Sequence, residues 1–272
     1  FVLSPALALA WSESLAASDE DASSPVMGLW SPSGLAAALG LAQDPENELD
    51  LPAMRRDGVE LIRRSSGGGA VLLAPGVLCW EAVAPLVWLA AEGRAGIRDA
   101  YAALNEPVVK AIGRLGAEVF PAGVSDLAAA DPRPAGWPLR KVAGAAQLRR
   151  KSRVLVHGSL LVDLDPALIS RYLRPPSSEP EYRAGRNHVD FCLNLADRFG
   201  LAGEARRGLS GRLARETASL AAAAGWKILD WTGAPPPEAE LLLREKYLCP
   251  DWNFRRLRAT ERQMGQSAGT GN

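Results

Sequence analysis

Two arginines, two serines and three consecutive glycines fill residues 63–69, between two apolar segments with the composition of β-strands. Three glycines bring backbone entropy that folding must remove, so a simple chain reversal rarely uses them all. Glycines without side chains allow the backbone to lie directly against a ligand, and their N–H groups can then face an anion. Arg63 or Arg64 would add positive charge and further hydrogen-bond donors. A flexible hairpin loop between two paired strands is the alternative, and spacing alone leaves both interpretations open.

The sequence around the glycines excludes two familiar phosphate-binding loops. It fits neither G-x-x-x-x-G-K-[ST] nor the G-x-G-x-x-G that joins a strand to a helix. Residues 70–73 are strand-like, so no helix N-terminus follows the glycines to receive a pyrophosphate.

A second basic segment containing glycine covers residues 140–151 and precedes an alternating, strand-like stretch at 153–163. Lys141, beside Gly144, could be a loop lysine placed over a ligand. The alternative is a solvated basic turn over residues 140–153, which is the commoner explanation for a run of charge.

The composition is that of a globular protein and narrows the class of function. The 272 residues are 47% hydrophobic and 23% charged, which predicts one large domain or one domain with a small appendage. Lysine plus arginine and aspartate plus glutamate both number 31, so nothing suggests nucleic-acid binding. Two histidines argue against a multi-histidine metal site, and three cysteines without a C-x-x-C pair fit a reducing cytoplasm. No apolar run approaches the roughly 18–20 residues of a membrane helix.

Hydrophobic spacing predicts the elements that must position the two basic segments. Helices are predicted at residues 6–18, 95–115, 166–173, 204–225 and 238–247. Strands are predicted at residues 26–30, 77–85, 153–163 and 226–231. Pro107 is a candidate break in the second helix, and residues 122–139 are expected to be mostly loop.

Three separated segments, in the same order, resemble the lipoate–protein ligase A family of the biotin/lipoate ligase and octanoyltransferase superfamily. The first is RRSSGGGAV at residues 63–71. The second, RKVAGAAQ at residues 140–147, resembles the family's R-K-[IVF]-[SA]-G-x-[AS]-[QY], and HGSLL at 157–161 resembles its H-G-[TS]-[LI]-[LI] strand. The third, Lys246-Tyr247 with Trp252, resembles the closing K-Y-x-x-x-x-W.

The resemblance implies an α/β (α+β) fold of mixed, largely antiparallel sheets flanked by helices. The catalytic domain is expected to cover residues 1–254, followed by a disordered tail at 255–272. No separate accessory domain is expected within the chain, so a second, accessory subunit could be needed.

The resemblance also implies an ATP-dependent lipoate–protein ligase. Lipoate or octanoate would react with ATP and Mg²⁺ to give an acyl-adenylate, and the lysine of a lipoyl carrier domain would then attack it. Lys141 would contact the acyl carbonyl and the phosphate, where a fixed cation stabilises developing charge, and Arg64 would meet phosphate oxygens. The other expected binding residues are Ser66, Gly67, Gly68, Gly69, Ala70, Val71, Leu72, Asp126, Gly144, His157 and Gly158.

Two further expectations concern side chains near these residues. Val71, Leu78 and Leu155 are candidate walls of an apolar tunnel for the acyl chain. His157, on a predicted strand, is expected to be a hydrogen-bonded structural residue rather than a base.

The sequence departs from the family pattern in ways that keep other functions open. Leu73-Ala74 replaces the His-Asp that follows the loop in many relatives. Residues 123–139 contain no cysteine, whereas cysteine-dependent octanoyltransferases carry their nucleophile there, and Cys79 is expected to be a buried strand residue. The G-R-G-R-x-x-R-x-W loop typical of biotin ligases is absent, which disfavours biotin.

Two rival functions remain. The first is an ATP-independent octanoyl or lipoyl transferase, which would form no AMP. The second is a non-catalytic protein that binds an acyl group or a nucleotide and leaves the carrier unmodified.

Overall fold

An eight-stranded sheet and a three-stranded sheet organise the chain in this computed structural model, which describes residues 1–18, 23–132 and 138–255. The strands are β1 (Val2–Leu3), β2 (Val26–Pro32), β3 (Ala36–Leu39), β4 (Glu60–Arg63), β5 (Val71–Leu73), β6 (Val77–Pro85), β7 (Phe120–Ala122), β8 (Asp126–Ala129), β9 (Arg140–Arg149), β10 (Arg153–Leu161) and β11 (Lys227–Ile228). The helices are α1 (Pro5–Ala17), α2 (Pro45–Glu48), α3 (Leu51–Asp57), α4 (Leu86–Ala91), α5 (Ile97–Arg114), α6 (Pro166–Tyr172), α7 (His188–Phe191), α8 (Leu195–Arg198), α9 (Gly203–Arg207), α10 (Leu209–Ala223), α11 (Pro237–Leu242) and α12 (Pro250–Asn253). A 3₁₀ turn covers Glu181–Arg183, and a π-helical segment covers Leu243–Tyr247.

The larger sheet has the order β1-β2-β6-β10-β9-β8-β7, with β11 also paired to β2. All its neighbours are antiparallel except the pairs that β1 and β11 form with β2. This mixed, largely antiparallel arrangement, flanked by helices, confirms the predicted fold class. Among the described residues, none of the helices is long and apolar enough to cross a membrane.

The segments on either side of the glycines do not pair as a hairpin, which excludes one of the two interpretations that the spacing left open. β3 lies between β4 and β5 in the smaller sheet, parallel to β4 and antiparallel to β5. All four residues of β3, Ala-Ala-Ala-Leu, are buried, and their small side chains let the central strand pack on both faces. Residues 64–70 therefore cross from one edge of this sheet to the other.

Two apolar clusters cover the two faces of the larger sheet. α5 and α10 pack against one face, where the periodic residues of α5 such as Leu104, Val108 and Ile112 are buried. The opposite face packs in a second cluster with α1, the smaller sheet and α6. α1 is buried along most of its length because alanines dominate its sequence and allow close approach of the surrounding strands.

Several predicted boundaries need correction. α5 continues through Pro107, since its buried face holds the helix where one backbone hydrogen bond is lost. The helix predicted at 204–225 is interrupted at Gly208, and the one predicted at 238–247 ends in the π-helical segment. Residues 256–272 of the predicted tail lie outside the described residues.

Candidate active site

Arg64 is buried under the glycine loop and bonds the loop to β3. Its Nη2 donates to the carbonyls of Gly67 and Gly69 at 2.7 Å each, its Nη1 donates to Ala38 O at 2.9 Å, and its Nε to Ser66 Oγ at 3.1 Å. Burial lowers the pKa of the guanidinium to about 10, so it remains a cation at neutral pH. In this arrangement Arg64 shapes the loop, and it also lines a cavity described below.

The glycines of the loop serve different purposes. Gly68 has φ of +87°, a conformation that other residues rarely adopt. A Cβ on Gly40 would lie 2.0 Å from the carbonyl oxygen of Gly68, so the two backbones are in direct contact. Nothing lies within 4 Å of a Cβ built on Gly67 or Gly69, and Gly69 lines the cavity described next.

Two adjoining cavities open beside the loop. We call the smaller one, with a volume of about 120 Å³, the inner cavity and the larger one, with a volume of about 350 Å³, the outer cavity. They share residues 69–71, Ser125, Asp126, Lys141, Gly144 and Ser159.

Most of the expected site residues line these cavities. Arg64, Gly68, His157 and Gly158 line the inner cavity, Leu72 lines the outer one, and Gly69, Ala70, Val71, Asp126, Lys141 and Gly144 line both. Ser66 and Gly67 line neither.

Two of the three expected tunnel walls are elsewhere. Leu78 belongs to the cluster under α5 and α10, because it alternates along β6 with Cys79, which lines the inner cavity. Leu155 packs against Ala16 and Val83, farther along β10 than the cavity. Val71 alone of the three lines a cavity.

Lys141 lies on β9, where a loop was expected, and its side chain is fixed by two neighbours. Its Nζ is 2.7 Å from Asp126 Oδ1 on β8. A Cβ on Gly144 would lie 2.7 Å from the same Nζ, so this glycine leaves the room that the lysine occupies. Tyr182 donates to Asp126 Oδ2 at 2.9 Å, and burial together with Asp126 raises the pKa of the phenol, which keeps it a donor.

His157 belongs to a buried polar group in the inner cavity. Its Nε2 lies 2.6 Å from Ser66 Oγ and its Nδ1 lies 3.4 Å from Glu81 Oε2. Trp30 Nε1 donates to Glu81 Oε1 at 3.1 Å. His157 is therefore hydrogen-bonded to Ser66. Sequence reasoning missed Glu81. A lone carboxylate within the apolar run of β6 was the available signal.

The outer cavity contains a cysteine that the sequence did not single out. Cys192 forms an isolated bridge with Lys141, where Leu193 N donates to Lys141 O at 2.8 Å. Cys79 lines the inner cavity. Burial raises the pKa of both thiols above their ordinary value of 9.0. No local pattern predicts that residue 192 pairs with β9, because the contact is long-range.

Arg63 and the third sequence motif bond the glycine loop to α1 and to the C-terminal segment. The side chain of Arg63 is fully buried and donates to the carbonyls of Gly40, Leu41, Gln43, Trp252, Asn253 and Arg255. Lys246 Nζ donates to Ser65 Oγ at 2.6 Å and to both oxygens of Glu13, at 2.8 and 2.9 Å. Tyr247 also donates to Glu13, at 2.7 Å. The motif therefore joins α1, the loop and the C-terminal segment.

Residues 4–199 match the sequence profile of the lipoyl protein ligase A/B catalytic domain. The octanoyltransferase LipM of Symbiobacterium thermophilum is 31% identical over 242 residues, covering 84% of this chain and 85% of its own. The octanoyltransferase LipM of Kyrpidia tusciae is 28% identical over 243 residues, with coverages of 84% and 85%.

Two solved structures are similar in fold over nearly the whole chain. A bi-partite lipoate protein ligase of Thermoplasma acidophilum, from a study with its E2 lipoyl domain, superimposes with a TM-score of 0.69 at 24% identity, covering 95% of both chains. A lipoate-protein ligase A bound with ATP gives 0.70 at 24% identity, covering 94% of this chain and 96% of its own.

Proposed function

Since the chain belongs to the lipoyl protein ligase A/B catalytic domain family, we propose that it attaches an octanoyl or lipoyl group to the lysine of a lipoyl carrier domain. The observation that carries the proposal is the position of Lys141, which lines both cavities with its amine held by Asp126. An acyl chain in the inner cavity would present its carbonyl at this point, and the carrier's lysine would approach from the outer cavity.

Lys141 supplies electrostatic stabilisation in this proposal. When the carrier's amine attacks the acyl carbonyl, negative charge develops on the carbonyl oxygen, and a cation fixed beforehand stabilises it without reorganising. Asp126 keeps the lysine in place, and Tyr182 keeps Asp126 in place. Val71 and the bare backbone at Gly69 form the wall along which the acyl chain lies.

The first candidate for this activity is activation of the acid by ATP. The carboxylate attacks the α-phosphate, pyrophosphate leaves, and AMP leaves in turn when the carrier's amine attacks the acyl-adenylate. The competing acyl-enzyme needs a reactive thiolate, but residues 123–139 contain no cysteine and the pKa values of Cys79 and Cys192 are raised. Among the described residues, no group of three His, Cys, Asp or Glu could hold a metal ion.

A second candidate is ATP-independent transfer from an octanoyl thioester. The relatives that are 31% and 28% identical are octanoyltransferases, which favours this candidate. Lys141 would polarise the thioester carbonyl in the same way, and a thiolate would leave in place of AMP.

One experiment distinguishes the two candidate functions. An E2 lipoyl domain is incubated with the protein and octanoate or lipoate, with and without Mg-ATP, and separately with an octanoyl thioester of an acyl carrier protein. Its intact mass is then measured. An acyl mass shift that requires ATP supports the ligase, and a shift with the thioester alone supports the transferase. If neither donor gives a shift, also after adding candidate accessory subunits, the proposal is wrong.

A further inference from the structure

The inner cavity contains a carboxylate that the proposed reaction does not use. Glu81 lies in the middle of β6, between Gly28 on β2 and His157 on β10, and is only 3% exposed. Its Oε1 accepts the indole N–H of Trp30. Its Oε2 has no hydrogen-bond partner within the described part of the chain. Glu81 lines the cavity itself.

The neighbouring histidine does not satisfy this oxygen. His157 Nδ1 lies 3.4 Å from Oε2, in an arrangement that does not meet hydrogen-bond geometry, and its Nε2 is occupied by Ser66 Oγ at 2.6 Å. A buried acceptor without a hydrogen-bond donor lowers the free energy of unfolding, and polar groups in native interiors rarely lack a partner. The site is therefore built to receive one donor.

The lining of the inner cavity also includes large apolar side chains. Leu9, Trp30, Leu73 and Cys79 line the same cavity and present hydrocarbon, ring or thiol surface. A hydrocarbon chain suits these side chains, but a methyl group placed against Glu81 would exclude water from Oε2 and give it no partner.

We propose that the inner cavity selects acyl groups whose buried end carries a hydrogen-bond donor, such as a terminal hydroxyl, over those that end in a methyl group. The donor binds Glu81 Oε2. The inference rests on the proposed function, because it takes the inner cavity as the acyl site. It adds a substrate class that resemblance to a lipoate or octanoate enzyme does not imply.

The test compares octanoic acid with 8-hydroxyoctanoic acid, which differ only at the buried end. Binding of both acids is measured by titration calorimetry, and transfer of both acyl groups to an E2 lipoyl domain is measured in competition, from the donor type that supports transfer. The wild-type protein should favour the hydroxy acid by about tenfold or more, the effect of leaving one buried acceptor unpaired. This comparison needs no variant.

Two variants identify the residue responsible. Glu81→Leu should remove the preference or reverse it. Asn105→Leu is the matched control, because Asn105 Oδ1 accepts the indole N–H of Trp80 at 3.0 Å as Glu81 does for Trp30, but lines neither cavity. It should destabilise the protein and leave the ratio of the two acids unchanged.

Each outcome of these experiments supports or rejects the inference. Equal binding, or tighter binding of octanoate by the wild type, would overturn the inference, and the oxygen is then satisfied by water. Transfer of both acyl groups without preference would leave the proposed function intact and reject the inference alone. A change of ratio in Asn105→Leu as large as in Glu81→Leu would also reject it. Failure to bind or transfer either acid would reject the proposed function as well.

Discussion

At the scale of single residues, Lys141 is held at both its main chain and its side chain. It lies on a strand, its main chain is bonded to Leu193, and its amine is held by Asp126. A loop lysine could be removed with little effect on the fold, but this one leaves a partly buried carboxylate without its cation. Its loss should therefore affect both the reaction and the stability.

Lys141→Ala should reduce acyl transfer at least about 100-fold, the usual effect of removing one group that stabilises an oxyanion. It should also lower the free energy of unfolding by about 1–3 kcal/mol, because Asp126 loses its partner. Lys151→Ala, at an exposed turn, is the control and should match the wild type in both. Intact-mass transfer assays and urea denaturation measure the two effects. Transfer within tenfold of the wild type would show that Lys141 does not stabilise the transition state.

Gly68→Val should lower stability by about 1–3 kcal/mol and weaken acyl binding, because valine is strained at a φ of +87° and its Cβ would lie 3.1 Å from Arg64 Nη2. Gly67→Ala provides the comparison, since its Cβ would enter open space outside both cavities. Thermal denaturation and titration of octanoate on both variants measure the difference. Equal behaviour of the two would mean that the glycines serve only to turn the chain.

At the scale of elements, α1 and the π-helical segment are joined through one buried carboxylate. Burial raises the pKa of Glu13, but hydrogen bonds from Lys246, Ser65 and Tyr247 outweigh it, so the pKa falls below its ordinary value of 4.5. A carboxylate whose pKa is lower in the folded state stabilises the fold at neutral pH. That contribution is lost as the pH falls below 4.5 and through the folded-state pKa.

Glu13→Gln should therefore be less stable than the wild type at pH 7, and the difference should shrink between about pH 5 and pH 3. Glu216→Gln, which removes the exposed partner of Arg114, should follow the wild-type curve. Chemical denaturation at a series of pH values gives both curves. A difference that stays constant over this range would exclude Glu13 as the source of the pH dependence.

The elements also show what the sequence could and could not predict. α5 and β10 were predictable because the spacing of their hydrophobic residues indicates a buried face. The order β4-β3-β5 was not, because a strand of three alanines and a leucine carries no alternation and one of its pairings is parallel. Resemblance predicted the residues around Lys141, and the lone carboxylate in the apolar run of β6 was a signal for Glu81. Cys192 reaches the outer cavity through a long-range bridge to Lys141 that no local pattern encodes.

At the scale of the whole molecule, Arg63 joins the loop to the C-terminal segment. Within the described part of the chain its guanidinium donates only to main-chain carbonyls. In return, Trp252 Nε1 donates to the carbonyl of Arg63 and Asn253 Oδ1 accepts from its amide. A lysine has neither the planar fork nor the number of donors needed to replace these bonds.

Arg63→Lys should destabilise the protein by about 3 kcal/mol or more, because several buried carbonyls lose their donor. Arg55→Lys, at an exposed position of α3, should change stability by less than about 0.5 kcal/mol. Urea denaturation gives the free energies, and hydrogen exchange at residues 252–255 reports whether the C-terminal segment has been released. A stable variant with a protected segment would show that the backbone bonds alone hold it.

The bonds between Arg63 and residues 252–255 also set the order in which the site can be made. Asn253 is synthesised 190 residues after Arg63, and its side chain accepts a hydrogen bond from the amide of Arg63. Until that late stage of translation the guanidinium lacks its C-terminal partners, and the loop beside the inner cavity lacks this part of its support. A chain that ends before residue 252 would have all the strands of both sheets but would lack these bonds, and under the proposed function we expect it to bind an acyl group more weakly than the full chain.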